Sequence, residues 1–317
     1  MNGRWMLAMV MYAIARRSFG AMAQSAPPQR SVATMPPLPL NDLEDLIRAA
    51  NNGDAEAQYR LGVLGLVGKL GPTGRKKCRL LLSAAAMQNH PGACFVLGML
   101  YQHGALIPQD RKKAVHLFQR AAGTGHARAQ NALAQLMLIG NGVARDRESA
   151  ITWFETAAAQ GLPEAKANLG ALYIHDGDAV AERERGMALM MDAAENGIAD
   201  AQHFLGQHYH NDARVPQDFK AACKWYNMAA DRGLATSQYN LALLLLRPRD
   251  ERFNPPAALK WLLIVATSQN TILKQAASRA INELAPQLSP VDVASATEAA
   301  LLWQQQRKQA SLLKASL

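Results

Sequence analysis

Apolar and small residues recur along this chain with two superimposed periods. Within short windows the spacing is helical. Ala165, Leu169, Leu172 and Tyr173 fall at i, i+4, i+7 and i+8, which places them on one face of an α-helix. Ala150, Trp153, Phe154, Ala157 and Ala158 do the same for a helix just upstream. Over longer distances the pattern returns at a fixed step. Leu61-Gly62, Leu97-Gly98, Leu133-Ala134, Leu169-Gly170, Leu205-Gly206 and Leu241-Ala242 follow one another every 36 residues. Ala49-Ala50, Ala85-Ala86, Ala121-Ala122, Ala157-Ala158, Ala193-Ala194, Ala229-Ala230 and Val265-Ala266 keep the same step. A third series, Gly53, Asn89, Gly125, Gly161, Gly197 and Gly233, lies three residues beyond each Ala-Ala pair. Three series in phase predict an array of helix pairs.

Each series has a physical reason. The residue after Leu is never larger than alanine in six copies. This predicts that the backbone of another helix crosses there, because a larger side chain would force the helices apart. The glycine after Ala-Ala marks a helix stop in the left-handed conformation, and Asn89 fits because asparagine also tolerates it. Pro-Gln-Asp recurs at Pro108 to Asp110 and at Pro216 to Asp218, which puts both aspartates where they cap a second helix. The loop Gly140-Asn141-Gly142-Val143 precedes Asp146 in the same way. One helix pair cannot bury its apolar stripe alone, so neighbours must stack.

The fold expected is therefore all-α: a right-handed α-solenoid of stacked helix pairs. Six 36-residue repeats occupy 54–270, an unpaired N-terminal capping helix 41–53, and C-terminal capping helices 271–305. Ser289-Pro290-Val291-Asp292 is a strong helix start, and that last helix is expected to reach about Gln305. Residues 306–317 remain as a basic tail.

The motif A-x-A-Q-x-x-L-G is carried by Ala55 to Gln58 with Leu61-Gly62 and extends to a tyrosine in Ala199 to Tyr209. The motif A-x-x-W-[FY]-x-x-A-A-x-x-G is carried by Ala150 to Gly161 and Ala222 to Gly233. Together they resemble the Sel-one-like repeat family, a subclass of tetratricopeptide-type helical repeats, over roughly residues 41–305. Departures are local: Gly74 replaces the loop Asp in repeat one, Leu189 replaces the Trp in repeat four, and Arg247 to Pro256 rewrite the loop of repeat six. The resemblance implies a non-catalytic adaptor or scaffold with a concave groove lined by first helices. A cysteine-rich branch of the family is linked to β-lactam binding through regularly paired cysteines. Cys78, Cys94 and Cys223 lack that pairing.

The formal net charge is +9. Residues 1–40 hold four arginines and no acid, and 302–317 hold Arg307, Lys308 and Lys314 with no acid. Removing those seven from 34 basic residues leaves 27 against 25 acids, a body charge of +2. A nucleic-acid binder concentrates cations on a folded face, so no nucleic-acid partner is expected. Residues 1–23 read as a signal peptide: Arg4, the uncharged run Met6 to Ala15, then Ala21-Met22-Ala23 before Gln24. Arg16-Arg17 sits where such leaders disfavour charge. An acid-free, arginine-bearing leader also fits an organellar transit peptide, and a start at Met35 would leave a cytosolic protein. The run is too short to span a bilayer, so no membrane span is expected in the mature chain. Five prolines in 24–40 make that stretch an extended linker.

Three cysteines without C-x-x-C give neither a disulfide framework nor a zinc site, and Cys78 and Cys223 read as small core residues. His203, His208 and His210 share a helix, but only His203 and Gln207 stand one turn apart, and Gln is a poor ligand. No metal, cofactor or catalytic residue is expected. The candidate recognition surface is the stripe at positions equivalent to 59, 63 and 66 of each first helix. It includes Tyr59, Phe95, Met99, Gln135, His203, Gln207, His210 and Tyr239, and it varies where the core stripe does not. Packing between repeats accounts for the same positions equally well. Two function classes follow: a scaffold binding a partner protein in the groove, in a periplasmic or secreted setting, or a periplasmic ligand- or peptidoglycan-binding module of hydrolase-like character. A long groove favours the first, and a compact pocket of convergent polar groups the second.

Overall fold

A computed structural model describes residues 40–69, 71–176, 179–211, 216–247 and 251–316. The leader and all of the proline-rich linker but its last residue lie outside them. Helix α1 (Leu40–Asn51) stands alone before six pairs. These are α2 (Ala55–Leu66) with α3 (Gly71–Met87), α4 (Pro91–His103) with α5 (Arg111–Gly123), and α6 (Ala127–Ile139) with α7 (Arg147–Ala159). Then come α8 (Pro163–Asp176) with α9 (Val180–Glu195), α10 (Ala199–Asn211) with α11 (Phe219–Asp231), and α12 (Ala235–Leu245) with α13 (Pro255–Ala266). Helix α14 (Thr271–Leu284), a single 3-10 turn and α15 (Pro290–Ser316) follow. No strand occurs among the described residues. Helix α15 continues well past Gln305, so the start of the expected basic tail is helical.

The helices pack as two compact units, one up to Leu169 and one from Gly170 to Leu313. In the first, Leu82, Phe118, Leu133 and Leu136 are buried among Ala85, Ala114, Ala121 and Ala129. Leu46 and Ala50 of α1 close its start against Ala57 and Leu61. In the second, Tyr226, Leu244, Leu259, Leu262 and Val265 form the core, and Leu284, Ala296 and Ala300 bring α14 and α15 onto it.

The turns between repeats are built as the sequence predicts. Gly53, Gly125, Gly161, Gly197 and Gly233 have φ between 82° and 94°, and Asn89 has φ 61°. After each, the next backbone N–H reaches back to the first residue of the Ala-Ala pair: Asp54 to Ala49, His90 to Ala85, His126 to Ala121, Leu162 to Ala157, Ile198 to Ala193 and Leu234 to Ala229. This six-to-one closure satisfies a carbonyl the helix end leaves open. The turns within repeats share a second closure. The N–H groups of Asp110, Asp146, Asp218 and Asn254 donate to the carbonyls of Tyr101, Met137, Tyr209 and Leu245. Their side chains then accept from Lys113, Ser149, Ala221 and Ala257 backbone N–H at 2.9 to 3.0 Å. Asn254 does this inside a loop whose sequence departs from the pattern.

In four of the six repeats a buried glutamine ties the first helix to the helix before it. Gln58, Gln130, Gln202 and Gln238 donate to the carbonyls of Ala50, Ala122, Ala194 and Ala230 at 2.8 to 3.2 Å. Each bond contributes about 1 kcal/mol net. In repeat two Cys94 takes the glutamine's place, and Arg120 donates to the Ala86 carbonyl.

The small residue after Leu is explained differently from the expectation in three repeats. A Cβ on Gly62, Gly98 or Gly206 would strike the side chain of Leu82, Phe118 or Tyr226 at 2.5 to 2.8 Å. There the slot receives a bulky side chain of the partner helix. Among the four glycines it is at Gly170 that backbone lies nearest: a Cβ would lie 2.8 Å from the Gly186 carbonyl oxygen. Gly186 stands where other repeats carry Cys78, Ala114, Ala150 and Ala222, so the two helices close to backbone contact.

Candidate functional site

The first helices expose little. In α4 no residue is exposed, and in α6 only Ile139 is. The cause is geometric, because each first helix meets its own partner helix and the neighbouring repeats as well. Of the stripe at positions 59, 63 and 66, Val63, Leu138, Ala171 and Ile174 are buried outright. They are corrected here from surface to core.

The eight candidate residues divide between the units. Tyr59 is half-buried and stacks on His90, with ring centroids 4.6 Å apart. Its ring also occupies the space a Cβ on Gly92 would need. Burial, then the Glu56 carboxylate, push its phenol pKa up. Phe95 repeats the arrangement one step on, stacked at 5.0 Å on His126 and 5.9 Å from Phe118. His90 and His126 are themselves N-caps: their Nδ1 atoms accept the backbone N–H of Ala93 and Ala129 at 3.1 and 3.2 Å. Met99 packs against the first core, and Gln135 is half-buried. The Asn131 carboxamide joins Asn168 at 2.8 Å.

In the second unit His203 bonds the buried Ser237 hydroxyl at 2.7 Å and lies 5.6 Å from the Tyr226 ring. His210 lies edge-on to Phe219 and Tyr226. Burial, then Arg247, hold its pKa below the ordinary imidazole value. Tyr239 packs against the second core. Gln207 is the one exposed member of the eight. Seven of the eight are therefore partly buried, and Tyr59, Phe95 and His203 act as joints between successive repeats. Among the described residues no group of three or more His, Cys, Asp or Glu could hold a metal ion. None of their helices is long and apolar enough to cross a membrane. A cleft of about 850 Å³ is lined by Ser268, Gln269, Thr271, Lys274, Gln275, Ser278 and Arg279. These come from one face of α14 and the turn before it, so they are not groups converging from several elements.

The sequence reading missed three working residues. His90 and His126 cap helices, which imidazole seldom does. Arg307, assigned to a tail, donates to the Asp231 carbonyl at 2.8 Å and lies over the Trp303 ring at 5.0 Å. Its guanidinium sits against Gly233 as that of Arg232 sits against Gly197, so α15 repeats at the end of the array a contact made inside it.

The Sel1 repeat profile matches residues 55–90, 91–126, 127–162, 199–234 and 235–267, more than half of the chain. The chain belongs to the Sel1 repeat family. Sel1 repeats are helical modules that generally mediate protein–protein interaction. The unmatched stretch between 162 and 199 still forms the pair α8 and α9, with Gly186 and Leu189 at positions where other repeats carry a larger residue or tryptophan. A protective antigen of uropathogenic Escherichia coli displaying an SLR fold is similar at 25% identity and TM-score 0.72, over 87% of this chain and 58% of that one. This Sel1 chain thus spans under two thirds of that protein's length. A Sel1 repeat protein from Oxalobacter formigenes is similar at 30% identity and TM-score 0.64, over 75% of this chain and 69% of that one. No curated protein matches in sequence.

Proposed function

We propose that this Sel1 chain is a non-catalytic scaffold that holds a partner protein. The carrying observation is that its buried polar side chains are engaged in the architecture itself. The buried glutamines bond alanine carbonyls, Asn168 bonds Asn131, and Ser237 bonds His203. What varies from repeat to repeat is left on outer positions such as Gln207 and the exposed Leu243. The first-helix stripe contributes there through Gln207, with Met99 and Gln135 reaching its edge. A photo-cross-linking residue at position 207 in native extract is expected to trap one discrete protein. Cross-linking to no protein, with helical content intact, overturns the reading. Release of peptidoglycan fragments by the purified chain would overturn its non-catalytic part.

The setting proposed is the periplasm or the cell exterior, supported by the Met6 to Ala15 run and the Ala21-Met22-Ala23 site. A mature N-terminus at Gln24 by mass spectrometry is the expected result, and an intact Met1 on cytosolic protein contradicts it.

A further inference from the structure

Cations are distributed unevenly over the array. Between residues 57 and 145 there are twelve lysines and arginines and one acid, Asp110. Several of the cations sit in the opening turns of second helices. Arg111, Lys112 and Lys113 begin α5, and no acidic residue occupies the first turn of α3 or α5. Arg147 opens α7 in the same way, whereas Lys77, at the sequence position of Lys113, lies in the second turn of α3 because that helix begins at Gly71. Cations in a first turn oppose the helix dipole, which favours carboxylates there. Arg111 and Lys112 are exposed and have no carboxylate partner among the described residues to offset this. Asp110 accepts the Lys113 backbone N–H and pairs with the Lys113 ammonium at 3.2 Å.

Arg111, Lys112 and the loop before α7 meet along one edge. Gly142, at φ 81°, brings the loop before α7 so close to α5 that a Cβ there would lie 2.8 Å from the Arg111 carbonyl oxygen. Arg145 leaves the same loop, exposed, with its Nε on the Leu138 carbonyl at 3.1 Å. Exposed Leu106 and Ile139 lie in or beside the same within-repeat turns, 59% and 46% accessible. The large apolar side chains exposed in the first unit, including these two, are aliphatic rather than aromatic. An interface for single-stranded nucleic acid would interleave aromatic faces with its cations.

We infer that the edge formed by Arg111, Lys112 and Arg145 binds an acidic polypeptide segment carrying aliphatic side chains. Carboxylates pair with the cations, and the aliphatic groups cover Leu106 and Ile139. The inference rests on the scaffold reading and names the chemistry of the partner. The test uses the full chain and a fluorescent 20-residue peptide of glutamate with leucine at every fourth position. The expected result is binding that weakens steeply with salt, because the cations are exposed. R111E/K112E should weaken it 10-fold or more, and K274E/R279E, the same charge change in the second unit, less than 2-fold. R111E/K112E should also melt no lower than wild type, since glutamate suits a first turn. Equal weakening by both double variants would show that only net charge matters and overturns the proposal. Tighter binding of a 20-nucleotide single strand than of the peptide, lost on R111E/K112E, overturns the partner class. A protein cross-linked at position 207 that still binds R111E/K112E leaves the scaffold standing and removes this edge from it.

Discussion

In the first unit the first two joints between repeats are rings laid on rings, and the third is a carboxamide bond from Asn168 to Asn131. Tyr59 covers His90 and Phe95 covers His126, and each imidazole caps the helix it begins. In the second unit the matching position, His203, bonds the Ser237 hydroxyl instead, and the far end is held by Arg307 and Trp303 of α15. The charges differ too: 15 basic against 10 acidic residues between 40 and 169, and 14 against 15 between 170 and 313. What both share is the buried glutamine bond and the left-handed turn. The contacts that set the 36-residue register thus recur in both units. The contacts that cement one repeat to the next are open to different solutions. Surface charge is free of both.

The largest expected effect separates the two kinds of contact. Gly170→Leu drives a side chain into the Gly186 carbonyl and the Met190 N–H, backbone that cannot rotate aside. A loss of about 3 kcal/mol is expected from overpacking, read as lowered amide protection throughout 170–313. Ala171→Leu, at the neighbouring buried position, should cost less. Equal losses would show that the Gly170 crossing is not special.

The next effect tests the aromatic joints. Phe95→Ala removes a half-buried ring and is expected to cost about 2 kcal/mol, below the 3–5 kcal/mol of a fully buried phenylalanine. Tyr59→Ala should behave alike. Stability in a solenoid is nearly a sum over repeats and their interfaces, so hydrogen exchange should rise in the first unit and stay unchanged in the second. Variants of either residue that melt like wild type would return both rings to the free surface the sequence suggested.

That difference shows where sequence reasoning ran out. The turns, the second-helix caps and the repeat borders recur at one step, so Gly125, Asp110 and Asp218 announce themselves. The orientation of Tyr59 and Phe95 does not. A helical wheel distinguishes two faces, whereas these helices are covered from three sides. Arg307 was hidden for another reason: its partner, Asp231, lies 76 residues upstream, and no local pattern links them. The cationic edge vanished into the whole-chain charge, because one unit's excess is diluted by the other's balance and by the ends. The buried glutamines were visible in the motif, but their bonding partner eight residues earlier needed the turn geometry.

A smaller effect is expected at the clamp. Arg307→Ala removes a charge-assisted bond to an exposed carbonyl and the cation–ring contact with Trp303. Exposed geometry limits the loss to about 1 kcal/mol. Exchange should rise in 219–234 and along α15, and Arg307→Lys should restore only part, because it cannot cover Gly233 with a planar group. Unchanged exchange on Arg307→Ala would return this residue to the tail.

The smallest effect is a dependence on pH that the two units share unequally. His126 caps α6 through Nδ1, which must keep its lone pair free to accept the Ala129 N–H. Burial, then the Arg128 guanidinium, and more weakly His90, hold its pKa below the ordinary imidazole value. His103 is lowered by burial and His210 by burial and Arg247, so the first unit holds two such groups and the second one. A base whose folded pKa is depressed takes its proton first in the unfolded chain. Stability is therefore complete above the unfolded value of about 6.5 and is lost as pH falls through it toward the folded value. Asp110 and Asp146, held below their ordinary value chiefly by hydrogen bonds from Lys113 and Ser149, act in a separate window. Their contribution persists until pH falls below about 4. Between pH 7.5 and 5.5 the melting temperature should therefore fall. His126→Asn keeps a good cap that does not titrate. It should flatten the drop in the first unit's exchange and leave the second unit's unchanged. The same drop in both proteins would mean that the cap imidazole does not carry the acid sensitivity, and that the two units respond to pH alike.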